Sequence, residues 1–343
     1  MFQSEILRNP TNASPELRDF FYHHPPSFFQ SLHFLELLNG THGFRPFMLI
    51  IKQDRRILAT LCGTNIREGS GLKAWASERT VIYGHPVIGS GSDPALMLGV
   101  LLEELNHVSQ GSLFTQFRND TAQSVNDPAF RNAGFHWRDR LNLIKPIHNL
   151  EEAWATLSAS RKRQINSSRK HGIEVISNPS HEQMLEFYNQ LLELYRYKVR
   201  KPLPSSEFFE RFYSLSTNGS FHGKIILCAF KGKIVSGIVC PYTPGASMYE
   251  WYVCGLDEEY RSHKIFPSVM ATWAAIEAGN QLGCKSFDFM GLGIPSRPYG
   301  VREFKSRFGG EWVNHGRWSR VNNSVFYTIA EIGYNMMRIL RNV

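Results

Sequence analysis

The chain predicts an α/β protein made of two similar halves, each a mixed twisted sheet flanked by helices. Three observations carry this expectation. At 343 residues the chain exceeds the size at which a single hydrophobic core stops growing, so two domains of ordinary dimensions are expected. Apolar runs of strand length alternate with amphipathic stretches of helix length, the order that lays helices against a sheet. That order then recurs: 94–108 falls opposite 266–282, and 112–118 opposite 285–291, at an offset of about 173 residues. A period this long implies duplicated domains rather than a solenoid. The expected divisions are a first domain over 1–148, a second over 149–316, and a C-terminal strand and helix over 317–343 that pack back on them.

Each element has a local reason. In 27–38, Phe28, Leu32, Leu35 and Leu38 recur at helical spacing and stop at Asn39-Gly40. The apolar stretches 46–52 and 57–64 flank the polar turn Gln53-Asp54-Arg55-Arg56 and predict a hairpin. A strand is expected over 80–88, then a helix over 94–108 capped by Asp93, then a strand over 112–118. A long helix is expected over 150–171, opened by Asn149 and Glu152 and left through Gly172. Another, over 181–200, opens with the capping box Ser180 and Gln183, and a short helix follows near 208–213. The hairpin 224–230 and 233–240, the strand 248–254, the helix 266–282 and the strand 286–290 complete the second half.

Composition narrows the function. Hydrophobic residues make up 42% and aromatics 13%, enough for large cores. No stretch reaches the roughly 18 uninterrupted apolar residues that a membrane span needs. The N-terminus lacks a basic-then-apolar export pattern. Cys62, Cys228, Cys240, Cys254 and Cys284 are dispersed without a CxxC pair, which fits a reducing cytoplasm. No HxH or HxxEH spacing occurs among the histidines, so no metal is expected. A nucleophile elbow, a Walker loop and a complete dinucleotide fingerprint are also missing. The net charge of +8 favours nucleotides, RNA or an anionic membrane face as partners, against an ordinary basic surface.

Hairpin, strand, helix, strand is the order of an acetyltransferase-like (GNAT) core, here in tandem. Three segments resemble the FemAB family, the aminoacyltransferases of peptidoglycan cross-bridges, and related GNAT-fold N-acyltransferases of envelope pathways. These are the basic helix with its glycine exit, LSASRKRQINSSRKHGIEV (157–175); the strand, Pro267 and helix within 251–283; and FDFMGLGIPSRPYGVREFKSRFGGE (287–311). The resemblance covers roughly 150–315. It implies acyl transfer to an amine of a cell-wall or polysaccharide precursor, with aminoacyl-tRNA as donor and no tightly bound cofactor. Acyl-CoA is the alternative donor. CoA-dependent members hold pyrophosphate on a glycine-rich loop at a helix N-terminus, whereas the stretch 259–267 (EYRSHKIFP) contains no glycine.

Carried onto this sequence, the family's Phe-Lys pair implies that Lys305 stabilises an oxyanion and Phe304 orients the acyl end. The other reading is a helix lysine beside a core phenylalanine. Asp288, at a strand end, is expected either to meet the attacking amine or to fix the following loop. Gly291 and Gly293 in that loop permit a tight turn or close approach of a ligand. Arg161, Arg163, Arg169 and Lys170 of the basic helix are candidate phosphate contacts, with Arg163 and Lys170 on one face. Tyr299 and Arg302 flank the same loop as Lys305, and Glu250 and Trp251 lie on the strand expected to face the site. Peripheral membrane contact through the apolar stripe of 325–340 is the alternative to its packing on a domain.

Overall fold

The computed structural model describes residues 2–69, 71–121, 124–219, 221–297, 300–329 and 332. It divides into two compact units, one formed by 1–139 with 315–343 and the other by 140–314. The first crossing lies nine residues before the sequence boundary at 148/149, because the strand 141–146 pairs within the second unit's sheet.

In the first unit, β1 (Gln3–Leu7) edges the sheet. Helices α1 (Pro15–His23) and α2 (Leu32–Leu38) follow. The expected helix over 27–38 is broken by Ser31, whose side chain accepts from Phe34 N and starts α2 afresh. β2 (Phe44–Gln53) and β3 (Arg56–Ile66) form the expected hairpin, turning through Asp54 and Arg55 at positive φ. After α3 (Gly71–Ala76), the expected strand over 80–88 divides into β4 (Arg79–Tyr83) and β5 (Val87–Ile88). The break lies at Gly84-His85-Pro86, where Gly84 takes φ +83°. α4 (Pro94–Ser109), capped by Asp93, leads into β6 (Phe114–Arg118). α5 (Pro128–Asn132) and β7 (His136–Arg138) end this stretch.

The second unit opens with β8 (Leu141–Pro146). The single helix expected over 150–171 is two, α6 (Leu150–Ala155) and α7 (Ala159–Lys170). Ser158 caps the second, so the polar Ser-x-x start outweighs the continuous apolar periodicity. β9 (Glu174–Ile176), α8 (His181–Leu194) and α9 (Ser206–Thr217) follow. The capping box at Ser180 and Gln183 is present. β10 (Gly223–Phe230) and β11 (Lys233–Pro241) form the second hairpin. The strand expected over 248–254 is split into β12 (Ser247–Tyr249) and β13 (Tyr252–Gly255). Then come α10 (Asp257–Tyr260), α11 (Pro267–Gln281), β14 (Ser286–Asp288), α12 (Gly300–Ser306) and β15 (Glu311–Asn314). β16 (Arg317–Val321) returns to the first unit.

The first unit has one sheet in the order β1-β2-β3-β4-β6-β16-β7, with β5 on β3 and with β4 and β6 parallel over five residues. Its core sets Phe47, Leu49, Leu61, Ile82, Phe117 and Trp318 against Leu101, Leu102 and Leu105 of α4. The second unit repeats hairpin, strand, helix, strand, but its strands fall into two sheets, β13-β11-β10-β9 and β12-β14-β8-β15. α11 is buried along much of its length, as an all-round apolar helix should be. Among the described residues no helix is long and apolar enough to cross a membrane. Residues 324–329 are helical, with Phe326 edge-on to Trp75 at 4.9 Å; much of the stripe expected over 325–340 lies outside the described residues.

Candidate active site

The two sheets of the second unit part at Glu250 and Trp251. Before them, β12 runs parallel to β14, with Tyr249 opposite Asp288. After them, β13 runs antiparallel to β11, with Tyr252 opposite Val239. The pair is anchored on both sides, by Glu250 N to Asp288 O at 2.9 Å and by Trp251 N to Val239 O at 3.1 Å. The chain crosses from one sheet to the other beside the C-terminal end of β14. In α/β proteins such an end is where ligands bind.

Three predicted residues meet there. Glu250 and Lys305 are 3% and 7% exposed, and the Lys305 ammonium forms an ion pair with Glu250 Oε1 at 2.8 Å. The same ammonium donates to Phe289 O and to Met290 O, the latter at 2.9 Å. An ammonium has three donors, so Lys305 reaches an oxyanion only by exchanging one of these oxygens. Burial pushes the Glu250 carboxyl above its usual range, opposed by the Lys305 charge and the Thr272 hydroxyl. Asp288 is buried as well and accepts from Met290 N at 2.7 Å and from Asn142 Nδ2 at 3.4 Å. It fixes the turn in which Met290, Gly291 and Gly293 all take positive φ. Gly291 is exposed, and among the described residues nothing lies within 4 Å of where its Cβ would stand.

The neighbouring candidates have structural partners. Arg302 donates to the carbonyls of Leu292, Ile294 and Pro295 and so staples that loop. Tyr299 lies outside the described residues. Phe304 accepts from Arg161 Nη2 through its carbonyl at 2.7 Å, and the guanidinium lies 4.2 Å over its ring and 4.8 Å over that of Phe308. Arg161 is therefore a buried clamp, its pKa pushed down to about 10 chiefly by burial. Trp251 packs edge-on against Phe208 at 5.3 Å. The closing Phe-Gly-Gly also has a packing reason: a Cβ on Gly309, at φ +75°, would lie 2.5 Å from Thr156 O.

The basic helix divides. Arg169 pairs with Glu277 at 2.7 Å, and Lys162 donates to Ala155 O. Arg163 and Lys170 are exposed. Arg163 lines a cleft of about 340 Å³ with Ser160, Gln164, Ser167, Lys264 and Phe266. This cleft adjoins the segment leading into α11.

Here the sequence reading missed Asp257. Its carboxylate accepts from Ser268 N at 3.2 Å and from the Ser268 hydroxyl, while Phe266 N donates to Ser168 Oγ at 2.9 Å. The start of α11 thus already holds an anion of the chain itself. Gly255 permits the arrangement, since a Cβ there would stand 2.7 Å from Ser268 N. The available signal was an acid just after a strand with a Pro-Ser helix start ten residues on. Asn142 was also missed, a polar residue inside β8, which lies between β14 and β15 in its sheet.

Residues 156–306 match the family model described as acetyltransferase (GNAT) domain. No curated protein sequence matches the chain. Among solved structures, FemX is similar at a TM-score of 0.68 and 13% identity over 95% of this chain and 99% of that one. L-PGS from Bacillus licheniformis gives 0.57 and 15% over 93% and 96%. A tandem GNAT protein from the clavulanic acid biosynthesis pathway gives 0.58 and 9% over 94% and 99%. At such identities the likeness to these structures is one of fold. Residues 156–306 thus form a GNAT-type acetyltransferase domain, and the chain as a whole shares the fold of these structures, a tandem GNAT protein among them.

Proposed function

We propose that the chain transfers an aminoacyl group from aminoacyl-tRNA to an amine of a cell-wall precursor, at the cytoplasmic side of the membrane. The observation that carries the choice of donor is the Asp257 carboxylate on Ser268. A helix start is an anion site, and one already filled by a carboxylate repels the diphosphate of CoA. The likeness to FemX and the FemAB-like segments support the same choice. In this reading the amine attacks the ester carbonyl of the charged tRNA, and the tRNA hydroxyl leaves. Charge on the tetrahedral oxygen is met by Lys305 once it releases one of its oxygen partners, with Phe304 at the acyl end and Asp288 setting the loop. Arg163, Lys170 and Lys264 supply phosphate contacts.

The runner-up is acyl-CoA-dependent transfer to an amino sugar or polysaccharide intermediate. The tandem GNAT relative, described in a form without AcCoA, favours it. Binding separates the two. Charged tRNA should bind with an affinity that falls steeply with salt, since each phosphate contact releases counterions. Arg163→Ala with Lys170→Ala should weaken it and flatten that slope. Micromolar acetyl-CoA binding without tRNA binding would reverse the order of the readings.

A further inference from the structure

The first unit holds a cavity of about 600 Å³ that the acyl-transfer chemistry does not use. It lies at the N-terminal ends of the parallel strands β4 and β6. Glu78 stands immediately before β4, and Gly111 lies shortly before β6. Asn65 comes from the end of β3, where Ile66 pairs with Arg79. Open α/β sheets bind ligands at the opposite edge, beyond the carboxyl ends of such strands. The cavity is therefore a separate place on the same sheet.

Its charged lining is only partly paired. Glu78 is 7% exposed. Its Oε1 accepts from Arg45 Nη2, and its Oε2 pairs with Arg67 Nε at 3.1 Å. This carboxylate is thus already matched by two guanidiniums. Arg8, just past the end of β1, is exposed, and its side chain has no hydrogen bond or ion pair among the described residues. The same holds for His107 in the last turn of α4. Apolar surface lies alongside: Ile6 is 42% exposed, and Phe44, Pro46 and Val108 share the wall with it.

We propose that this cavity binds a small organic monocarboxylate with an apolar body, its carboxylate on Arg8 and its body against Ile6, Phe44 and Pro46. A volume of about 600 Å³ falls inside the range of about 300–1,000 Å³ typical of small-molecule sites, which are mostly apolar with a few placed polar groups. One guanidinium offers two parallel N–H donors, the fork that a single carboxylate takes. His107 adds a further ring N–H within the same lining. A phosphate dianion would bring a second negative charge into a cavity that Glu78 already lines, and like charges at close range repel. An amine would meet Arg8 and Arg45 with the wrong sign.

Calorimetry on the full chain tests this with acetate, hexanoate, hexylamine and hexyl phosphate. Hexanoate should bind at least about tenfold more tightly than acetate, since each methylene taken out of water is worth about fourfold. Arg8→Gln should weaken hexanoate by about tenfold or more, the loss expected for a charged hydrogen bond. Ile6→Ser should weaken it by about fourfold or more through lost apolar contact. Arg18→Gln, an exposed arginine outside the cavity lining, should leave it unchanged. Arg8 and Ile6 are both exposed, so their variants should melt close to the wild type. Wild-type hexanoate affinity in Arg8→Gln, or hexanoate no tighter than acetate or hexylamine, would overturn the site. Hexyl phosphate binding more tightly than hexanoate would overturn the carboxylate assignment. No acyl donor enters this assay, so its outcome is independent of the donor reading above.

Discussion

Lys305 Nζ lies 2.8 Å from Glu250 Oε1, and this ion pair ties α12 to the point where the second unit's strands part. Both side chains are almost fully buried. Removing one partner strands the other charge in a poorly solvated site. Glu250→Gln or Lys305→Met should therefore each cost about 3–5 kcal/mol in urea unfolding. The double variant Glu250→Leu with Lys305→Met should lose far less than the sum of the single losses. Additive losses would mean that the two charges do not depend on each other.

Asp257 makes the second prediction. Asp257→Ala removes a carboxylate that two donors of Ser268 share, at a cost of about 1 kcal/mol as for a lost helix cap. It also frees the start of α11 for an outside anion. Acetyl-CoA or inorganic pyrophosphate should bind this variant more tightly than the wild type, as measured by calorimetry. Equal affinity would show that the carboxylate does not govern anion access there.

Gly309 tests the closing Phe-Gly-Gly. Its φ of +75° and the backbone oxygen of Thr156, 2.5 Å from the would-be Cβ, leave no side chain to give way. Gly309→Ala should destabilise by about 1–3 kcal/mol. Gly172→Ala, at φ +86° with nothing within 4 Å, should lose only the conformational part. Comparing the two by thermal melting separates strain from clash.

The hairpins, α4 and α11 were legible because apolar spacing and turn residues agree there with the packing. The breaks were not. α6 and α7 read as one helix because apolar residues keep their spacing across Thr156 to Ser158, and only the side-chain bond of Ser158 to Arg161 N starts a new one. The strand expected over 248–254 reads as continuous, since nothing local says that its two ends pair with different neighbours. Glu250 and Lys305 were visible as candidates, yet their pairing across 55 positions of sequence is purely tertiary.

Lys145, a lysine in the apolar run of β8, yields the sharpest pH prediction. It is 0% exposed, and its ammonium donates to the Thr156 hydroxyl at 2.7 Å. Burial, with the Lys162 charge adding to it, pushes its pKa down to about 8 from 10.5. Between those two values the unfolded chain holds the proton and the folded chain does not, so this lysine's contribution to stability rises with pH across that window. Below it, the buried charge costs about 3 kcal/mol. Buried cysteines act in the opposite direction. Burial raises the thiols of Cys62, Cys228, Cys240 and Cys254, so they lose stability as pH climbs above their ordinary value of 9. The overall profile therefore mixes both slopes, and the difference between wild type and Lys145→Met isolates one. In urea unfolding the variant should be the more stable protein near pH 7, by up to that amount. Its advantage should shrink as pH rises from 8 towards 10. A constant difference across this range would mean that Lys145 titrates alike in the folded and unfolded chains.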